Sequence, residues 1–381
     1  MKKLVLAVIA IAAMAACTKS NVQYEQPGEI TLQPVAQKAT KAAVDGTAYP
    51  TAEAYNFNVW AWWADKDAGT QLAEFTPTTD YIAEGTFVHR NGTSWGGSTP
   101  YYWPTKGSLV FAGYSPASAK VGGTTFKYYL NAVDNEGDDN DIAANTLKIT
   151  DYIQSNNIAD AKDLMWFDVT DESYNKNGAD NKVVPVTFKH ALSWLTFKFN
   201  RSNNTDALWT IKEVKLVGIE DKATFTAVKT PASTTWKDWA ISAEGKSVVN
   251  IYTAPQNGGY IVGVDAAVID GTDITDDSNT NVKNNAVLVI PQSCAPAVNG
   301  AQAKPADAEL VITYNQKTYV DDGVLEGQTV TLPLNSTEIT GNMWEPGKHY
   351  IYTITFGAEE ILIAPAVTDW TDVTVNSIPV K

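Results

Sequence analysis

Cys17 is the first residue of the sequence whose side chain could take part in covalent chemistry, and it follows a typical export signal. Lys2 and Lys3 give a basic start, and the eleven residues 4–14 form an apolar run. A membrane-spanning helix needs roughly 20 apolar residues, so this run is too short to cross a bilayer. The pattern therefore favours a signal peptide over residues 1–16.

The string MAAC at residues 14–17 resembles the lipobox of bacterial lipoproteins. In that class the cysteine thiol takes a diacylglycerol group, and the cysteine becomes the mature N-terminus. Met14 stands where leucine is more usual. The resemblance implies that Cys17 is lipidated and that the exported protein is tethered to a membrane through the lipid. The alternative is an ordinary secretory signal with a chance cysteine.

The other chemically capable side chains lack the spacing of a catalytic or metal-binding motif. His89, His190 and His349 are far apart, each inside or beside a predicted strand, where a lone histidine is usually packed or hydrogen-bonded. Residues 134–141 carry five carboxylates, but without the alternation and turn glycine of a calcium loop, which favours a solvated acidic loop. No spacing marks a catalytic carboxylate pair. The sequence therefore indicates no cofactor and no metal. A secreted hydrolase with an unmarked carboxylate pair is the weakest of the functions considered for this chain.

Charge and cysteine content narrow the class of protein further. The formal net charge of −15 argues against a nucleic-acid partner, which would require a basic face. Cys294 is the other cysteine, so no intramolecular disulfide can form once Cys17 is acylated. A chain of 381 residues is long for one core and is typical of two domains.

Period-2 alternation dominates from Phe57 onward and predicts an all-β chain of sandwich architecture. Inward-facing sets are expected along three strands, namely Val186 and Phe188; Leu195, Phe197 and Phe199; and Tyr350, Tyr352, Ile354 and Phe356. Further strands are predicted at 57–63, 108–114, 164–169, 210–218, 247–252, 259–264, 286–290, 308–314 and 328–333. One helical turn is expected near residues 149–155.

A polar, turn-rich stretch at residues 201–207 is the best candidate for a domain boundary. The predicted organisation is a signal peptide (1–16), a leader (17–41), an N-terminal β-sandwich domain (42–203) and a C-terminal β-sandwich domain (204–381).

The tryptophans allow two interpretations. Exposed indoles could form a glycan-binding face, and the candidates are Trp60, Trp62, Trp63, Trp95 and Trp103. Trp60 and Trp62 share one face of their strand and Trp63 lies on the other, so the three cannot all point to one ligand. Packing of large aromatics in a sandwich core is the favoured interpretation. A surface glycan-binding lipoprotein remains the alternative function.

Four segments resemble the fimbrillin-like (Mfa-like) lipoproteins of Bacteroidales, the subunits of type V pili. They are YYWPTKGSLVFAGYSP at 101–116, VTFKHALSWLTFKF at 186–199, VLVIPQ at 287–292 and WEPGKHYIYTITFG at 344–357. The resemblance implies two transthyretin-like β-sandwich domains, no enzymatic activity, and a structural or adhesive role in a fimbria on the cell surface.

The resemblance also implies an assembly pathway. In that family a trypsin-like protease removes the N-terminal segment of the lipidated precursor, and the opened groove accepts a strand from a neighbouring subunit. The expected partners are other pilus subunits, the protease, the outer membrane, and host or bacterial surface ligands. The usual arginine at the processing site is absent here, because the first arginine is Arg90. We expect cleavage after Lys41, with Lys38 as second choice. Without cleavage, the chain would be an unprocessed anchor subunit or a non-polymerising relative.

Two segments have the sequence pattern expected of a displaced strand and its replacement. EITLQPV at 29–35 and DVTVNSI at 372–378 both begin with an acid and carry β-formers and threonine at the same offsets. Two strands that fill one groove must present the same face to the same pockets. We therefore expect the displaced strand to use Ile30, Leu32 and Val35, and the donor strand in residues 372–381 to use Val373, Val375 and Ile378.

Overall fold

The computed structural model describes residues 28–36, 49–51, 55–90, 94–120, 123–133, 141–176, 183–203, 207–230, 235–242, 246–255, 258–265, 267–268, 287–295, 308–317, 323–357 and 360–369. Over this part of the chain the regular structure is 21 β-strands with short 3-10 turns, which confirms the all-β prediction. Within the described residues no helix is long and apolar enough to cross a membrane.

The strands, in chain order, are β1 (Thr31–Ala36), β2 (Phe57–Ala64), β3 (Thr79–Arg90), β4 (Ser94–Gly97), β5 (Ser108–Ser115), β6 (Thr125–Tyr129), β7 (Thr146–Ile153), β8 (Met165–Phe167), β9 (Val183–His190), β10 (Ser193–Arg201), β11 (Leu208–Glu220), β12 (Lys222–Lys229), β13 (Thr235–Ile241), β14 (Lys246–Thr253), β15 (Tyr260–Ile261), β16 (Ala267–Val268), β17 (Val287–Val289), β18 (Glu309–Lys317), β19 (Val324–Pro333), β20 (Lys348–Phe356) and β21 (Ile361–Asp369). The 3-10 turns are Leu72–Glu74, Ala117–Ala119, Ile158–Asp160 and Thr340–Asn342.

The first sheet closes on itself in the order β1-β4-β3-β2-β5-β8-β9. Its interior is an aromatic and branched core that includes Phe57, Phe87, Phe111 and Phe188. The buried face of β9 is formed by Val184, Val186 and Phe188, as alternation predicts. β5 is buried along its whole length, because its outer face is covered as well.

A four-stranded sheet in the order β13-β12-β7-β6 covers that outer face. It shares a hydrophobic cluster with Trp60, Val110 and Trp166 from the closed sheet. β12 follows residue 203 in sequence and pairs with β7, which precedes it. One sheet therefore contains strands from both sides of the proposed boundary, and the division into two domains stays a prediction.

The helical turn expected near residues 149–155 is wrong, because this segment lies at the end of β7. Ile149 and Tyr152 are both buried, at a spacing of three that suggests a helix. The spacing comes from an irregularity in the ladder with β12, where Asp151 adopts a φ of 55°. Such a bulge inserts one residue and shifts the side-chain phase of the strand.

Two further sheets pack around a second core. One has the order β16-β10-β20-β21 with β17 also on β10, and the other has β14-β11-β18-β19 with β15 also on β11. All seven predicted inward residues of β10 and β20 are buried in their shared cluster, in which Trp209 and Trp344 are also buried. Aromatic rings of this size supply most of the area that a sandwich core buries.

Candidate functional site

β1 occupies a gap between β4 and β9 and so completes the closed sheet. It runs parallel to β9 over six residue pairs, from Thr31 opposite Val183 to Ala36 opposite Phe188. On its other side it runs antiparallel to β4 over two residue pairs only. Without β1, the facing edges of β4 and β9 would lack a strand between them.

The backbone before β1 continues the pairing along the β4 side. The Ile30 N–H donates to the Tyr101 carbonyl at 2.7 Å, and the Trp103 N–H donates to the Gly28 carbonyl at 3.0 Å. Successive N–H groups of a strand point to opposite sides, so the Leu32 and Pro34 positions face the same side as Ile30. Pairing with β4 ends at Leu32, which is two residues before the imino acid. Pro34 therefore sits where the β4 ladder has already ended, a position that tolerates the missing donor.

The side chains of β1 alternate strictly between the core and solvent. Ile30 is 0% and Leu32 is 1% exposed, and Pro34 is the third buried position. Val35, expected to fill the groove with Ile30 and Leu32, lies on the opposite face and is 37% exposed. Full burial of a side chain such as Ile30 or Leu32 contributes about 1.5–3 kcal/mol. Burial of these two side chains therefore supplies most of the hydrophobic free energy that holds β1 in the sheet.

Tyr49 is the first described residue after β1, and it lies in the core of the closed sheet. Its ring packs on Phe57, Trp95 and Phe188, with ring centroids 5.6, 5.1 and 4.9 Å away. Its hydroxyl donates to the Tyr55 carbonyl at 2.5 Å and is also hydrogen-bonded to the Ser115 hydroxyl. Burial raises the pKa of Tyr49 well above its ordinary value, so this phenol stays neutral at physiological pH.

The two candidate cleavage positions fall between the anchored ends of this segment. Lys38 and Lys41 lie within residues 37–48, outside the described residues, after the last paired residue of β1 and before Tyr49. A cut at either lysine separates β1 from the rest of the chain without touching any described strand.

An ion pair fastens the N-terminal end of β1 to the closed sheet. Arg90, the last residue of β3, donates from Nη1 to Glu29 Oε1 at 2.6 Å, and its Nη2 donates to the Gly97 carbonyl. A Cβ at Gly96 would lie 2.8 Å from Glu29 Oε1, so the glycine leaves space for this carboxylate where it now lies. Arg90, Glu29 and Tyr49 were not marked by sequence reasoning. The two charged partners are 61 positions apart in the sequence, so no local pattern predicts the ion pair.

The remaining predicted site residues lie outside the described residues. These are the lipidation site Cys17, the processing positions Lys38 and Lys41, and the donor-strand residues Val373, Val375 and Ile378.

The tryptophans proposed for a glycan face are mostly core residues. Trp60, Trp62, Trp95 and Trp103 are each 1–6% exposed, which confirms the packing interpretation for these four. Trp63 is half-buried, and its Nε1 donates to the Lys106 carbonyl at 2.8 Å. The four buried indoles are therefore not available as a platform for stacking on a sugar.

The histidines make structural contacts within the two cores. His190 Nδ1 lies 2.9 Å from the buried Asp163 carboxylate. His349 stacks on Trp194 with ring centroids 3.3 Å apart, and its Nε2 lies 2.9 Å from Thr196 Oγ1. Burial, helped by the positive charge of Lys198, lowers the pKa of His349 to about 3. Among the described residues no group of three or more His, Cys, Asp or Glu side chains is arranged to hold a metal.

Comparisons with known proteins agree with this architecture. A family model described as fimbrillin-like matches residues 40–370. A fimbrial protein from Bacteroides vulgatus has the same fold, with a TM-score of 0.51 and 16% identity, covering 90% of this chain and 100% of that one. The tip fimbrial protein Mfa3 from Porphyromonas gingivalis aligns at a TM-score of 0.35 and 11% identity over 90% of this chain and 100% of its own. No curated protein sequence matches the chain significantly.

Proposed function

This chain belongs to the fimbrillin-like family, and from that premise we propose that it is a structural or adhesive subunit of a type V pilus that polymerises by strand exchange. Family membership supports a fimbrial or adhesin subunit at the cell surface that assembles with other subunits. The finer proposal is that a lipidated precursor is cut in its leader, loses β1 and accepts a strand from a neighbouring copy. No step in this pathway requires the chain to act as an enzyme.

The position of β1 is the observation that carries the proposal. β1 is paired on both sides and buries Ile30 and Leu32, yet it precedes both candidate cleavage positions. A cut after Lys41 would leave β1 held only by noncovalent contacts, and its departure would expose two strand edges and an apolar groove. An open groove of this kind favours the addition of an extended segment by main-chain hydrogen bonds.

The proposed occupant is residues 372–378 of another copy. Val373, Thr374 and Val375 repeat the offsets of Ile30, Thr31 and Leu32 behind an acidic residue. A strand given by one copy to the groove of the next is a head-to-tail contact, which yields an open polymer.

Membrane attachment through Cys17 is tested with the Cys17→Ala variant. We expect this variant to leave the outer-membrane fraction, because a chain with a net charge of −15 is repelled by anionic headgroups. Several acyl groups on Cys17 are expected, since a single acyl chain gives only marginal binding. Wild-type levels of the variant in that fraction would contradict lipidation.

The processing step is tested by sequencing the N-terminus of protein sheared from cells. Cleavage after Lys41 gives a chain that starts at Ala42, and cleavage after Lys38 gives one that starts at Ala39. The Lys38→Gln/Lys41→Gln variant should remain uncut, whereas the matched control Lys19→Gln should be processed normally. Recovery only of chains that begin at Cys17 would instead indicate an unprocessed anchor subunit.

The assembly step is tested by deleting residues 372–381. Strand donation predicts a soluble monomer that unfolds cooperatively and forms no polymer ladder after protease treatment. Val324→Thr/Leu325→Thr is the matched control, because it alters an exposed apolar pair on β19 and should leave polymerisation unchanged. A deletion variant that still polymerises, or that no longer folds, would rule out residues 372–381 as the donor.

A further inference from the structure

The groove around β1 has a charged end as well as an apolar floor. We propose that Arg90 and Gly96 form a carboxylate-binding site that sets the register of whichever strand fills the groove. Its occupant is Glu29 before processing and Asp372 of a second copy in the polymer. This inference rests on the proposed strand exchange and adds the residues that select how the incoming strand is aligned.

The geometry of Arg90 is suited to receiving a carboxylate from either strand. Its Nη2 donates to the Gly97 carbonyl and lies 3.4 Å from the Ser98 carbonyl, so main-chain acceptors hold the guanidinium in place. Its Nη1 is left to meet Glu29. The Arg90 and Glu29 side chains are 30% and 32% exposed, so an incoming strand can reach the guanidinium from solvent. A planar guanidinium with several donors can hold both sets of partners at once.

Gly96 supplies the space that the carboxylate needs. It lies opposite Thr31 in the β1–β4 ladder, two residues from Glu29 in register and therefore on the same face of β1. A Cβ at this position would lie 2.8 Å from Glu29 Oε1, so any other residue would require the Glu29 side chain to shift from its place beside Arg90. The combination of a positioned arginine and a glycine on the neighbouring strand favours an acid at the groove position that Glu29 occupies.

The sequence places an acid at that position in the candidate donor as well. Asp372 stands immediately before Val373, as Glu29 stands immediately before Ile30. If Val373 takes the pocket of Ile30, then Asp372 falls beside Arg90. Aspartate is one methylene shorter than glutamate, a difference that the long arginine side chain can cover by a small change in rotamer.

The positive charge of Arg90 can fix the alignment of the strand in the groove where apolar side chains alone cannot. A slip of one residue would turn every inward side chain outward, so the apolar pattern alone rejects odd slips. A slip of two residues keeps the apolar phase, and backbone pairing with β9 does not distinguish it. Such slips would bring Trp370 or Thr374 to Arg90 in place of Asp372, and neither carries a negative charge. The ion pair with Arg90 is therefore the interaction that disfavours a shift of the donor strand by two residues.

The test measures binding of a labelled peptide of residues 367–381 to protease-treated full-length protein. An Asp372→Asn peptide should bind about three- to tenfold more weakly than the wild-type peptide, because it loses a charge-assisted, partly exposed hydrogen bond. An Asp369→Asn peptide is the matched control and should bind like the wild-type peptide. Residue 369 is three positions from residue 372, so in an extended strand its side chain points away from Arg90. On the Arg90→Gln protein, the Asp372→Asn and wild-type peptides should bind equally.

A charge swap keeps the test informative if Arg90→Gln perturbs folding. The Arg90→Glu protein should prefer an Asp372→Lys peptide over the wild-type peptide, which a purely structural role of Arg90 does not predict. Equal binding of the wild-type and Asp372→Asn peptides to wild-type protein would overturn the register site while leaving strand exchange intact. Absence of any peptide binding, together with absence of polymer, would overturn both.

Discussion

Two parallel strand pairs, β1 with β9 and β10 with β20, have the same pattern of neighbours. In each, one strand runs parallel to a strand from later in the chain and antiparallel to a third strand on its other side. Both have a buried apolar face, contributed by Ile30 and Leu32 in β1 and by Leu195, Phe197 and Phe199 in β10. The two pairs differ in what fastens the strand to its place.

β10 is fixed by more contacts than β1 and by the covalent chain. It pairs with β20 over eight residues, from Trp194 to Arg201, and two residues separate it from β9. Its Trp194 also stacks face to face on His349 of β20. β1 has six parallel pairs, two antiparallel pairs and one ion pair, and the candidate cleavage positions follow it directly. Under the proposed strand exchange, β1 can be replaced because a cut after it leaves only noncovalent contacts, whereas β10 stays joined to β9 by the chain.

The largest expected effect comes from β10 and β20, the permanent pair, which keeps both of its strands in the proposed strand exchange. Phe199→Ala removes a fully buried ring opposite Ile354 and should lower the free energy of unfolding by about 3–5 kcal/mol. Denaturant unfolding should give the same loss before and after removal of the leader, because β10 stays in both forms. A loss confined to the uncut protein would contradict the assignment of β10 as permanent.

The corresponding change in β1 should depend on cleavage. Leu32→Ala should cost about 2–4 kcal/mol in the uncut chain, through lost burial and an incompletely filled cavity. In the processed subunit the variant and wild type should unfold at the same denaturant concentration, since both have lost the strand. Persistence of the difference after processing would mean that β1 stays bound.

The His349 side chain should make the permanent pair sensitive to acid. The folded chain keeps His349 neutral down to its pKa of about 3, whereas the unfolded chain takes up a proton below about 6.5. Unfolding therefore binds a proton in this window, and stability falls as pH falls, by up to about 1.4 kcal/mol per pH unit. His349→Gln should show a shallower pH dependence between pH 6 and pH 4 and the wild-type slope above pH 7. Equal slopes throughout would contradict a neutral, buried His349.

The smallest effect is expected on the outer face of β1. Val35→Thr keeps a β-branched side chain at an exposed position and should change the free energy of unfolding by less than about 0.5 kcal/mol. Denaturant unfolding of this variant beside Leu32→Ala compares the two faces of one strand. A loss as large as that of Leu32→Ala would show that Val35 also fills the groove.

Alternation predicted many of the strands and the buried faces of β9, β10 and β20, but it did not mark β3, β6, β12, β13 or β21. The inward sets of β9, β10 and β20 are correct because these strands run without bulges at the predicted residues. The segment at 149–155 was missed because a bulge at Asp151 imitates helical spacing. The strands that pair with β1 could not be predicted from the sequence, because the parallel pairing with β9 joins residues more than 150 positions apart. The ion pair of Arg90 and Glu29 was missed for the same reason. Val35 was wrongly expected in the groove, because a residue three positions from Leu32 lies on the opposite face of a regular strand.

Amide hydrogen exchange along β9 tests most directly whether β1 is the replaceable member of the two pairs. We expect the β9 amides that face β1 to be protected in the uncut chain and to exchange orders of magnitude faster in the processed monomer lacking residues 372–381. Protection should return in the wild-type polymer, while the amides between β10 and β20 stay protected in all three states. Continued protection of β9 in the processed monomer, or loss of protection in β10 and β20 at the same step, would contradict the account.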